Sequence, residues 1–181
     1  MKPTEQLKVE HEGVKLMLRI LDKICTKPDE INQEHFTKIL EFLKVFVDKC
    51  HHGKEEDLLL PAMIEAGVSK ENGVIKFTLL EHVEARGYIK GMSEAFDEFK
   101  SGDRQASAKI AENAKKYIVL LIKHIEKEDA MLFPLADKVL PQAKQVELEE
   151  AFEKLEVERI GLGKHEEFHK LLHQLKEIYL D

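Results

Sequence analysis

Histidine and carboxylate recur together at two places in this chain, in "HHGKEEDLLLP" at residues 51–61 and in "HIEKEDAMLFP" at residues 124–134. His51 and Glu55 stand four residues apart, as do His124 and Glu128, and each pair is followed at the same distance by a proline, Pro61 or Pro134. On an α-helix, residues i and i+4 project one above the other, about 6 Å apart along the axis, so an imidazole nitrogen and a carboxylate oxygen can converge on one cation. One such pair alone is usually a solvated contact worth a few tenths of a kcal/mol. Two copies with the same downstream proline point to a shared site.

His11 and His82 fall on apolar stripes of their own. Four imidazoles and two carboxylates then interrupt faces that otherwise read as leucine, isoleucine and valine, where a core should exclude them. A carboxylate can bridge two cations through its two oxygens, so Glu55 and Glu128 as paired bridges would hold two metals with positions left open. Mixed imidazole and carboxylate ligation suits iron. The two cysteines, Cys25 and Cys50, sit in apolar helical runs as small hydrophobes and form neither a disulfide framework nor a thiolate zinc site.

The elements that must carry these residues are helices. Thr4 is the expected N-cap of a first helix whose stripe runs Leu7, His11, Val14, Leu18, Leu21 and Cys25. A second spans about Asn32 to Leu60, with Leu40, Leu43, Val47, His51, Glu55 and Leu58 on one face, and Pro61 is expected to kink or end it. After the turn-rich "EAGVSKENG" comes a third stripe, Ile75, Leu79, His82, Arg86 and Ile89, closed by "KSGD" at residues 100–103. The fourth aligns Ile110, Ala114, Tyr117, Leu121, His124, Glu128 and Met131 and reaches Pro134. Short connections make sequential neighbours antiparallel. The expected fold is therefore all-α, an up-down-up-down four-helix bundle over about residues 4–140. A C-terminal helical extension over about 141–181 is interrupted by the breaker "IGLG", and the whole is expected to form a single domain.

Composition agrees with long charged helices. Of 181 residues, 35% are charged and 43% hydrophobic, with only 9 Gly and 5 Pro. The 28 Lys and Arg are interleaved with 35 Asp and Glu, for a formal charge of -7, which gives no basic surface for nucleic acid. No apolar run has the length of a signal peptide core or a membrane span, so a soluble cytoplasmic protein with no membrane partner is expected.

The pattern of two H-x3-E motifs leading to proline, with His11 before and His82 between, resembles the hemerythrin-like (HHE cation-binding) family over about residues 4–140. That resemblance implies a four-helix bundle around two iron ions joined by an oxo or hydroxo group and two carboxylates. Its metal ligands would be His11, His51, Glu55, His82, His124 and Glu128, with Glu55 and Glu128 as the bridges.

The sequence departs from the oxygen-carrying members in the third helix, where the position four residues after His82 holds Arg86 in place of a further histidine. Arginine offers donors and no lone pair, so Arg86 is expected to pair with a carboxylate or an anion beside the metals. The missing nitrogen is sought in His165 of the extension, ahead of His52, which an ideal α-helix turns about 100° away from His51. His169 and His173 read as a wet surface stripe, and Glu56 as an outer partner or surface acid.

The leading functional expectation is a di-iron binding protein for dioxygen, nitric oxide or peroxide, serving sensing, storage or detoxification. Two alternatives stand beside it. One is a di-iron oxidoreductase consuming peroxide or nitric oxide, and the other is an iron-handling or iron-donor protein.

Overall fold

The computed structural model describes residues 1–181, and every regular element in it is helical. None of the helices is long and apolar enough to cross a membrane. The first, α1, spans Pro3–Ile24. Proline opens it at a position that needs no donor, and Lys2 N–H donates to Glu5 Oε2 at 2.8 Å. Thr4 is therefore not the N-cap expected of it: it is buried inside the first turn, where its hydroxyl donates to Asp137 Oδ1 at 2.7 Å.

The second rod begins as α2, Gln33–Glu41, capped by Asn32, whose side chain accepts from His35 N–H at 2.9 Å. It continues without a break through two π-helical stretches, Phe42–His52 and Glu55–Leu59, into α3, Leu60–Glu65. The third rod is α4, Gly73–Lys100, capped by Asn72 through Val74 N–H. The fourth is α5, Ala106–Lys127, followed by a π-helical Glu128–Leu132 and by α6, Phe133–Val139.

Neither proline ends its rod. Pro61 and Pro134 each sit in the first turn of a renewed α-helix. A proline ring collides with the carbonyl four residues back and supplies no N–H to it. In both rods the residue just before the proline bonds five residues back: Leu60 N–H reaches the Glu55 carbonyl, and Phe133 N–H reaches the Glu128 carbonyl. The widened turn relieves the clash and lets the helix run on. Such π turns are frequent at functional sites, and here each one starts on a carboxylate of the repeated motif.

The order of residues along the four rods gives their directions. A smaller apolar cluster holds Leu7, Leu59, Ile75 and Leu132, and a larger one holds Val14, Val47, Ala85 and Ile125. In α1 and α4 the chain passes from the smaller cluster to the larger; in the second and fourth rods it passes the other way. The bundle is therefore up-down-up-down, and between the two clusters each rod contributes a polar layer: His11, His51 with Glu55, His82, and His124 with Glu128, all buried. Apolar burial on both sides stabilises the fold by roughly 1.5–3 kcal/mol for each fully buried large side chain and offsets the cost of this layer.

The extension is two helices. The first, α7, spans Gln142–Arg159 and puts Leu148 and Phe152 into the smaller cluster. Gly161 and Gly163, at φ of 89° and 76°, take the left-handed backbone that the break requires. Then α8, Lys164–Tyr179, puts Phe168, Leu172 and Leu175 into the larger cluster. The break between α7 and α8 thus falls beside the polar layer.

Candidate metal centre

Two convergences of ligand atoms lie in the polar layer. One ligand atom each from His52, Glu55, His82 and His124 lies within 4.8 Å of the others, and so does one each from His11, His51, Glu55 and Glu128. Glu55 belongs to both. Its Oε1 is 3.3 Å from His51 Nε2 and its Oε2 is 3.1 Å from His82 Nε2. Glu128 is arranged the same way, with Oε2 at 3.1 Å from His11 Nε2 and Oε1 at 2.7 Å from His124 Nε2 and 3.6 Å from His82 Nε2. Each carboxylate therefore turns one oxygen to a pair of imidazoles, His11 and His51, and the other to a trio, His52, His82 and His124.

These groups fit a cation better than they fit one another. Both oxygens of Glu55, both of Glu128, and Nε2 of His11 and of His52 are buried without a hydrogen bond. Several approach to about 3 Å, but with the wrong angles, and such orphaned groups in a core are costly unless something else satisfies them. The chemistry of the set, five imidazole nitrogens and four carboxylate oxygens with no thiolate, suits a transition-metal cation.

Every one of the five imidazoles is backed through Nδ1 by a carboxylate. Asp129 stands 2.8 Å behind His11, Glu10 2.7 Å behind His51, and Glu56 2.7 Å behind His82. Asp48 stands 3.4 Å behind His52 and Glu81 3.5 Å behind His124. A carboxylate accepts only, so at His11, His51, His52 and His82 the Nδ1 proton is held outward and Nε2 is left facing the layer, the arrangement that orients metal-binding histidines, whereas His124 Nδ1 makes no hydrogen bond to Glu81. Glu81 is itself held by Lys127 at 2.6 Å.

Arg86 stands in this outer ring. Its Nε donates to Asp48 at 2.8 Å and an Nη donates to Glu56 Oε1 at 2.9 Å, the same oxygen that faces His82. One guanidinium thus fixes the carboxylates behind two of the trio, His52 and His82. Arg86→Ala is expected to weaken cation binding about 10- to 100-fold, the usual cost of losing an outer partner, as read by equilibrium titration. Unchanged affinity would refute the clamp.

His52 is brought inward by the wide turns of Phe42–His52. It is 1% exposed and stacks on His82 with ring centroids 3.8 Å apart. His165 joins neither convergence: its Nδ1 is bonded to Glu156, its ring meets the edge of Phe46, and it stacks on His169 at 4.9 Å. The structure thus places His52, and not His165, with the six residues His11, His51, Glu55, His82, His124 and Glu128.

The electrostatics show a pocket that demands positive charge. Burial alone would strip the proton from His51, yet Glu55 and Glu10 hold its pKa up at about 10. Against the same burial, Glu128, Glu55 and Glu56 raise His82 to about 11, and Glu128 and Glu81 raise His124 to about 9. Burial and the neighbouring charged imidazoles push His52 well below its ordinary value, so it stays neutral. Burial acts the other way on a carboxyl and would raise Glu10, but His51 and Lys54 bring it down to about 2.

Sequence reasoning missed Glu10, Asp48, Glu81 and Asp129. Three of them are direct neighbours of a candidate ligand, Glu10 before His11, Glu81 before His82 and Asp129 after Glu128, which is a signal only once the layer is known.

The family model described as the hemerythrin HHE cation binding domain matches residues 2–136. Comparison with curated proteins and with solved structures returns no match.

Proposed function

The chain belongs to the hemerythrin HHE cation-binding family, and on that premise we propose that it binds two iron ions and, at them, a small ligand such as dioxygen, nitric oxide or peroxide. The observation that carries this reading is the division of both buried carboxylates between two imidazole sets. One position would take His52, His82 and His124, the other His11 and His51, with Glu55 and Glu128 shared. Iron held by these residues would supply open coordination positions and electrons for a bound small ligand.

The protein's own residues do the rest. The pair supplies one nitrogen fewer than the trio, so the position of His11 and His51 is the one left more open to a ligand. His11 stacks on Phe133 at 5.4 Å, and Phe133 is packed with Leu7, Leu59 and Leu132 in the smaller apolar cluster. That wall keeps water from the more open side, while the Nδ1 carboxylates hold the imidazoles in place.

The test is elemental analysis of the purified protein followed by anaerobic titration of its reduced form with dioxygen, nitric oxide and peroxide. Near two irons per chain and a reversible spectral change with one of the three are expected. Stoichiometric zinc without iron would sink the reading, and steady peroxide loss at catalytic protein concentration would replace it with an enzymatic one.

A further inference from the structure

The extension grips the turn that carries His51 and Glu55 from two sides. Arg159, the last residue of α7, lies over Gly53, where an added Cβ would come 2.5 Å from its Nη1. That nitrogen donates to the Lys49 carbonyl at 3.2 Å, and the other Nη pairs with Asp57. One turn earlier, Glu156 Oε1 stands 3.7 Å from the ammonium of Lys54. Lys54 is buried, and its ammonium is bonded to Glu10, whose other oxygen holds His51 Nδ1 at 2.7 Å. His165 completes the line by bonding Glu156 from the first turn of α8.

This line is a competition for one charge. Lys54 divides its ammonium between Glu10 and Glu156. Whatever Glu156 does not take falls on Glu10, and Glu10 then accepts more weakly from His51. An imidazole whose Nδ1–H has a poorer acceptor is a poorer donor at Nε2. The trio is isolated from this effect: Asp48, Glu56, Glu81 and Arg86 back it, and all four belong to the bundle. Cys50 approaches Glu10 and Glu156 closely enough to suggest a third cation position, but the Lys54 ammonium already lies against both carboxylates.

We propose that Glu156 is a positioning residue for the cation held by His11 and His51, so that the C-terminal extension sets the affinity of that position and leaves the trio's position untouched. The inference rests on the two-cation reading above.

The experiment titrates the metal-free protein with cobalt(II), read by visible absorbance, in wild type, Glu156→Gln and Glu153→Gln, the last an exposed residue of the same helix. Wild type and Glu153→Gln take up two equivalents. Glu156→Gln, with unchanged circular dichroism, keeps one at wild-type affinity and weakens the other about tenfold. In a His51→Ala background, which removes the imidazole that Glu10 holds, Glu156→Gln has no further effect. The inference is overturned if Glu156→Gln leaves both affinities unchanged, weakens both alike, or still acts when His51 is absent. Wild type taking up fewer than two equivalents would defeat the two-cation reading itself and this inference with it. Should Glu156→Gln not fold, His165→Ala decides. It leaves Glu156 wholly to Lys54, so the weaker position keeps or exceeds wild-type affinity, and a loss there overturns the proposal.

Discussion

Glu128→Ala is expected to leave the purified protein with no more than one cation per chain in place of two, measured by elemental analysis against protein concentration. Glu128 is fully buried and touches both imidazole sets, His11 through one oxygen and His124 and His82 through the other. Alanine removes an oxygen from each proposed cation position at once. It also takes away the charge that balances the neighbouring imidazoles, and breaking a buried pair on one side costs roughly 3–5 kcal/mol. The variant should therefore melt lower even without metal. Glu126→Ala, two residues away and exposed, should keep both cations and the wild-type melting temperature. Retention of two cations at wild-type affinity in Glu128→Ala would show that the carboxylate does not bridge.

The same residues show what the sequence could and could not reveal. His51 with Glu55 and His124 with Glu128 are legible because the i, i+4 relation survives the local change of helix type and the apolar stripe fixes which way they face. The four rods are legible for the same reason, as is the break at "IGLG". His52 was not legible. An ideal α-helix puts it well away from His51, but the π-helical Phe42–His52 alters the phase, and both side chains point into the layer. The other wide turns, Glu55–Leu59 and Glu128–Leu132, have their cause in view as Pro61 and Pro134, which read in the sequence as places where helices kink or end. Their consequence, a bond from the residue before each proline to the carbonyl of Glu55 or Glu128, appears only when the whole ladder is traced. The outer carboxylates are illegible for another reason. The chain has 35 acidic residues, so Glu10 and Asp129 are inconspicuous until the imidazoles they back are located.

Removing the cations is expected to lower the melting temperature by on the order of 10 °C, measured by calorimetry with and without a chelator. A ligand that binds only the folded chain stabilises it by about 4 kcal/mol per site at a thousandfold excess over Kd, and in a domain of this size each kcal/mol moves the midpoint by roughly 2–4 °C. The physical source is the layer between the two apolar clusters. Glu55 and Glu128 have no hydrogen-bond partner for any of their four side-chain oxygens, and a cation satisfies them together. The effect should also be local. Leu60 and Phe133 amides end their bonds on the Glu55 and Glu128 carbonyls, so fixing those two residues should slow hydrogen exchange at these π turns more than in the middle of α4. An unchanged midpoint would mean that the layer holds no cation of consequence. Uniform slowing across the chain would mean that the cation raises global stability without settling the turns that the prolines created.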